Sequence, residues 1–217
     1  MNKKILYVII GVITIALIGC GIFFATNNRN SESPNNSNKH SNNDNKGDDK
    51  IDNNIPANSN NKILVLYFSA TGTTKTVAEY LAEETKGELV EIVPKEKYTS
   101  DDLNYNASDC RANKEQNDDK ARPEISNTIN IEEYDTIFIG YPIWWGDVPK
   151  IILTLLDTYN LDGKTVIPFC TSGGSSISQS LSTLKSYNSK IKWIDGKRLS
   201  SSSKSEISSW IKELNIV

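Results

Sequence analysis

Histidine is almost missing from this chain of 217 residues: the single one, His40, lies in a polar stretch, and none occurs from residue 62 onward. That excludes Ser-His-Asp hydrolysis, Cys-His proteolysis and histidine-bearing metal sites from the C-terminal part. Cysteine is scarce too, limited to Cys20, Cys110 and Cys170. There is no C-x-x-C pair, so neither a thioredoxin-type centre nor a zinc knuckle is encoded. Two cysteines past residue 62 make no disulfide framework; we read them as separate thiols, with a bridge between them as the alternative. An excess of basic charge is also lacking. From residue 62 on, 15 Lys and 3 Arg stand against 22 Asp and Glu, a net charge of −4. With no basic stripe, a nucleic-acid partner is not expected.

Long hydrophobic runs are missing as well, with one exception at the front. Residues 5–25 are uncharged and apolar, 21 in a row, and follow Lys3 and Lys4. That length spans a bilayer, and the flanking lysines predict an N-terminus inside and the rest of the chain outside. Leu17-Ile18-Gly19-Cys20 also resembles the lipobox of bacterial lipoproteins, which makes Cys20 a lipidation candidate and residues 1–26 a lipoprotein signal. The apolar residues 22–25 beyond it suit an uncleaved anchor instead. Residues 27–61 are rich in Asn, Ser, Asp and Lys, with Ile51, Ile55 and Ala57 as their apolar side chains. Such a segment buries too little surface to offset its ordering entropy and is expected to be a disordered linker. Residues 62–217 are the size of one domain with one core. Both readings of the front end place that domain at the outer face of a membrane, on a tether.

Within the domain, elements alternate. Residues 63–68 are continuously apolar, as a strand buried on both faces requires. Helical spacing of Val77, Ala78, Leu81 and Ala82 predicts a helix over 73–86, stopped by Gly87. Residues 88–93 read as a strand ended by Pro94. The polar stretch 95–127 holds a loose helix from about 103 to 120. Strands follow at 134–140, at 164–170 despite Pro168, and at 190–194. Helices are expected from Ile151 to near Tyr159, after the Gly/Ser-rich turn at 171, and over 203–214, where Ile207, Trp210, Ile211 and Leu214 share a face. This alternation predicts an α/β fold: a doubly wound, five-stranded parallel sheet in a three-layer α/β/α sandwich. Ligands of such sheets sit outside the carboxyl ends of the strands. Three polar or glycine-bearing loops follow those ends, at 69–74, 141–147 and 171–175.

The first loop reads Ser69-Ala70-Thr71-Gly72-Thr73-Thr74. A helix beginning there aims unpaired N–H groups at one point, which suits an anion, and the hydroxyls of Ser69, Thr71, Thr73, Thr74 and Thr76 add donors without charge. A simple helix cap would use one hydroxyl. The run lacks the glycines and the Gly-Lys-Thr of a Walker A motif, and G-x-G-x-x-G is absent. A phosphatase loop beginning at Cys170 would need Arg at 176, where Ser176 stands. The set therefore suits a phosphate monoester held by neutral donors.

These residues resemble the flavodoxin family. Residues 69–74 are similar to its T/S-x-T-G-x-T phosphate loop, and "GYPIWWGDVP" and "PFCTSGGS" resemble the second and third flavin loops of a flavodoxin-like branch. The resemblance covers about 62–217 and implies the strand order 2-1-3-4-5 and FMN as cofactor. It implies that Ser69, Thr71, Gly72, Thr73 and Thr74 hold the phosphate. Pro142, Ile143, Trp144, Trp145 and Gly146 would border the isoalloxazine, and Thr171, Ser172, Gly173 and Gly174 would line its pyrimidine side. Trp144 and Trp145 offer flat faces to a tricyclic ring, unless one of them serves the core. The third loop departs from many electron carriers of the family in having no aromatic. That leaves a flavin face open, which residues 95–127, with Tyr98, Tyr105, Arg111 and Arg122, either cover or leave alone as a plain surface helix. The expected function is electron transfer with a redox partner protein or quinone-like acceptor. The alternatives are an NAD(P)H-dependent quinone or small-molecule reductase and a surface binding module without flavin. No side chain is assigned as a catalytic acid or base.

Overall fold

The computed structural model describes residues 61–200 and 204–216. The expected leader, with Cys20, and the expected linker up to residue 60 lie outside them. In chain order the elements are β1 (Ile63–Tyr67), α1 (Thr73–Thr85), β2 (Glu88–Glu91), α2 (Arg111–Asn117), β3 (Thr136–Pro142), α3 (Lys150–Thr158), β4 (Thr165–Thr171), α4 (Ser178–Tyr187), β5 (Lys192–Trp193), β6 (Lys197–Arg198) and α5 (Lys204–Leu214). The strands form one parallel sheet in the order β2-β1-β3-β4-β5, as expected, with β6 also paired to β4.

The two sheet faces divide the apolar residues by parity. Ile63, Val65, Tyr67, Phe138, Ile167 and Phe169 pack against α1 and α5 through Val77, Leu81, Ile207, Trp210 and Ile211. Leu64, Leu66, Ile137, Ile139 and Tyr141 face the other way, onto Ile151, Ile152, Leu155 and Leu156 of α3 and Leu184 of α4. Successive strand residues point to opposite faces, so a sheet covered on both sides needs the unbroken apolar runs that β1 and β3 supply. Gly140 is required by a close approach: a Cβ there would meet the Phe169 ring at 2.1 Å.

Several boundaries moved. β3 runs two residues past Gly140, because Tyr141 and Pro142 continue the ladder opposite Cys170 and Thr171. β2 stops at Glu91, and Pro94 instead bridges Ile125. The loose helix shrinks to α2. Before it the chain makes successive turns, with Leu103 N bonded to Ser100 O and Ala107 N to Asn104 O, while Asn104 Oδ1 takes the N–H of Asn106. Short polar side chains that bond nearby backbone compete with helix in this way. The fifth strand position is split. Val166 O and Cys170 O accept from Ile194 and Leu199, so Pro168 between them faces the same side with no N–H to give. The partner strand breaks opposite it, into β5 and β6.

Candidate functional site

The loops after β1, β3 and β4 meet at the carboxyl edge of the sheet. In the first, Gly72 takes a left-handed conformation (φ 90°) as it turns the chain into α1. Ser69 Oγ accepts the Gly72 N–H at 3.1 Å and Thr76 Oγ1 donates back to Gly72 O at 3.3 Å, so both hydroxyls brace the turn itself. Thr74 is buried, and its hydroxyl meets that of Thr171 at 2.8 Å, tying the start of α1 to the end of β4. The hydroxyls of Thr71 and Thr73 are exposed and have no partner among the described residues, nor do the N–H groups of Thr71, Thr73, Thr74 and Lys75. Lys75 faces Glu79 at 4.0 Å on the exposed side of the helix.

The second loop is a tight hairpin. Trp144 and Asp147 exchange both backbone bonds, at 3.0 and 2.9 Å. The two residues between them, Trp145 and Gly146, have φ of 49° and 81°. Positive φ at both positions marks a type I′ turn, and a Trp there is an outlier. The turn is pinned from two helices. Gln116 Nε2 of α2 donates to Trp144 O at 3.1 Å and to Val148 O at 3.3 Å. Thr183 of α4 donates to Asp147 Oδ2 at 2.8 Å. Among the described residues, Gln116 Oε1 is the buried side-chain atom left without a partner.

The adjacent tryptophans divide their roles. Trp144 joins an edge-to-face cluster with Phe68 (5.4 Å) and Tyr98 (5.1 Å) on the side of the core. Trp145 remains 45% exposed. Beside them opens a cavity of about 460 Å³ lined by Ser69, Ala70, Thr71, Thr74, Pro142, Ile143, Trp144 and Trp145, and by Leu103, Tyr105 and Ala112 from the segment before and in α2. No lining residue carries a charge.

Eight lining residues thus come from two of the three loops singled out in the sequence, and the cavity gathers them. Gly72, Thr73 and Gly146 adjoin the lining residues in their loops, and Thr171 connects to them through Thr74. Ser172, Gly173 and Gly174 are not among the lining residues; Ser172 Oγ instead closes its own turn, accepting from Gly174 and Ser175. Of the residues named in the 95–127 segment, Tyr105 lines the cavity, Tyr98 backs Trp144, and Arg111 lies 4.1 Å above the Tyr98 ring. Arg122 is engaged with Asp157 and Tyr187. Leu103, Ala112 and Gln116 escaped sequence reading. Nothing in a polar stretch of turns signals which of its few apolar side chains face inward.

Buried groups behind the site stay protonated. Burial pushes the Cys170 thiol up to about 12, with nearby Arg198 opposing slightly. Burial also raises the Tyr141 phenol, whose hydroxyl pairs with Ser180 at 3.1 Å. Tyr98 is raised by burial and by Glu115. Both Cys110 and Cys170 are free and buried. Among the described residues no group of three or more acidic, Cys or His side chains is placed to hold a metal ion, and no helix is long and apolar enough to cross a membrane.

The sequence model of the family described as Flavodoxin matches residues 62–214. Solved structures similar to the chain include a candidate flavoprotein from Bacteroides eggerthii, 46% identical, covering 73% of this chain and 100% of its own, with a TM-score of 0.69. A second, from Bacteroides uniformis, is 44% identical over 70% of this chain and 98% of its own, with a TM-score of 0.68. A flavoprotein in complex with FMN from Lactobacillus acidophilus is 32% identical over 68% of this chain and 99% of its own, with a TM-score of 0.53. No curated protein matches.

Proposed function

The chain belongs to the flavodoxin family, and from that membership we propose that it is an FMN-binding redox protein whose task is electron transfer. One observation carries the reading: a helix start with unpaired N–H groups opens onto an uncharged, aromatic-lined cavity. The two halves fit the two ends of FMN. A helix N-terminus takes a phosphate, and flat apolar walls take a tricyclic ring. The related Lactobacillus acidophilus flavoprotein, crystallised with FMN, supports the same assignment.

In this reading the N–H groups of Thr71, Thr73, Thr74 and Lys75, with the Thr71 and Thr73 hydroxyls, bind the phosphate. The hydroxyls of Ser69 and Thr76 hold the loop in shape. The Thr74–Thr171 bond keeps the phosphate loop in register with the third loop. Trp144 N–H is used within the turn, so Trp145 and Gly146 carry the N–H groups this loop has left for the ring edge. Bound FMN supplies one- and two-electron chemistry, and the protein's part is position and local electrostatics. No charged side chain lines the cavity to act as acid or base.

A redox partner protein or a quinone-like molecule would take the electrons. The cavity's exposed aromatic rim favours, as a second reading, an NAD(P)H-dependent reductase of small quinone-like molecules on the same site. We place the domain at the outer face of the membrane, held by residues 1–26, either lipidated at Cys20 or anchored uncleaved. An intact mass of the membrane-extracted protein separates these: a chain beginning at an acylated Cys20, or one retaining Met1.

The test is an absorption spectrum of the purified 217-residue chain, followed by anaerobic titration with dithionite. Bound flavin reduced in two resolved one-electron stages supports the carrier. Reduction in a single two-electron stage, with NAD(P)H-driven quinone turnover, supports the reductase. No flavin, even after FMN is added, overturns both.

A further inference from the structure

The third loop, residues 171–175, contains no aromatic residue, so a ring seated by the first two loops would lack a stacking partner there. Resting on the FMN reading, we infer that this partner is Tyr105, brought from a different part of the chain to cover the outer face of the bound ring.

Tyr105 is 75% exposed yet lines the cavity. Its ring has no hydrogen bond or ring contact among the described residues. Tyrosine is enriched at binding surfaces because its large apolar ring can cover a ligand while its hydroxyl stays in water. The ring is carried on a braced segment. Ala112 N bonds Asp102 O at 3.0 Å, which fixes the turn holding Leu103 and Tyr105 against α2. Arg111 then clasps α2 to the aromatic cluster behind the site. It donates to Glu115 Oε1 at 2.7 Å and to Glu96 O at 2.8 Å, and its guanidinium lies 4.1 Å over the Tyr98 ring. Gln116, one turn further, holds the Trp145 hairpin. One short helix therefore ties the Tyr105 segment and the Trp145 turn together. The ligand class is set by this pairing: a planar, uncharged ring system wide enough to touch both.

The experiment titrates FMN into the apo form of the 217-residue chain and of Tyr105→Ala and Tyr105→Phe, with iodide quenching of the bound flavin's emission as the second readout. Because Tyr105 is mostly exposed, neither substitution should lower the melting temperature. Loss of one stacked ring should weaken binding about tenfold in Tyr105→Ala and open the flavin to iodide. Tyr105→Phe should match the wild type in both. Unchanged affinity and quenching in Tyr105→Ala, with the wild type binding FMN, overturn the cover while leaving the FMN reading intact. Equal weakening in both variants assigns the effect to the hydroxyl and overturns the ring contact. A wild type that binds no FMN overturns both inference and function.

Discussion

At the scale of single residues, Trp145 shows how a site departs from the best local choice. A type I′ turn prefers Asn-Gly, and the second position here is already Gly146. A tryptophan at φ 49° is strained, and such strain persists where surrounding contacts enforce it. Gln116 and Thr183 supply those contacts. Trp145→Asn should therefore raise stability by at most about 1 kcal/mol, because the short polar Asn side chain tolerates the left-handed region better than an indole does, while weakening FMN binding several-fold. Thermal melting and flavin titration of the same preparation check the two signs. A loss in both would mean that the ring earns its place by packing alone. The "WW" pair was legible as two flat faces. Which of the two would also pack into the core was not, because Trp144 is held there by Phe68 and Tyr98, residues distant in sequence.

At the scale of elements, the sheet was readable because parity and apolar runs state directly which strands are buried on both faces. The ends of elements were less so. The sequence suggests that Gly87 closes α1 in the left-handed position. Lys86 takes that position instead, at φ 54°. Gly87 is used for contact: a Cβ there would lie 2.9 Å from Ile63 Cγ2. One glycine serves either need, and sequence alone does not say which. Lys86 is exposed, so Lys86→Gly should stabilise the fold by about 1 kcal/mol through relief at the helix terminus. Urea unfolding checks it, and destabilisation would show that the lysine side chain contributes more than the backbone relief. The split fifth strand has the same origin. Pro168 was visible as an irregularity, but its effect falls on a partner strand more than twenty residues later. There Gly196 lets the chain pass the Pro168 carbonyl, where a Cβ would come within 2.3 Å of the oxygen. Gly196→Ala should cost about 1–3 kcal/mol, as overpacking against backbone does.

At the scale of the whole molecule, the three loops that the sequence marked as a site converge because a parallel sheet puts every strand's carboxyl end on one edge, and two of them line the cavity. What the sequence withheld was the third wall, built by a polar segment whose few apolar residues become informative only after folding. The same edge gives the molecule a titration signature. Cys170, just below the third loop, has its thiol raised by burial from the ordinary value of 9.0 to about 12. Burial, with Glu91 adding, lifts the Tyr67 phenol from 10.0 to about 12, and Tyr141 moves the same way. Each group holds its proton more tightly folded than unfolded. Its contribution is therefore fully present below the unfolded value and is lost as pH climbs toward the folded one. Stability should hold steady up to about pH 9 and then fall, with each group steepening the slope by at most about 1.4 kcal/mol per pH unit. Urea midpoints between pH 8 and pH 11 measure this. In Cys170→Ala the decline should begin about one unit later, near the ordinary tyrosine range, although the variant starts lower for the small cavity it leaves. An unchanged onset in that variant would show that the thiol ionises as readily in the folded chain as in the unfolded one.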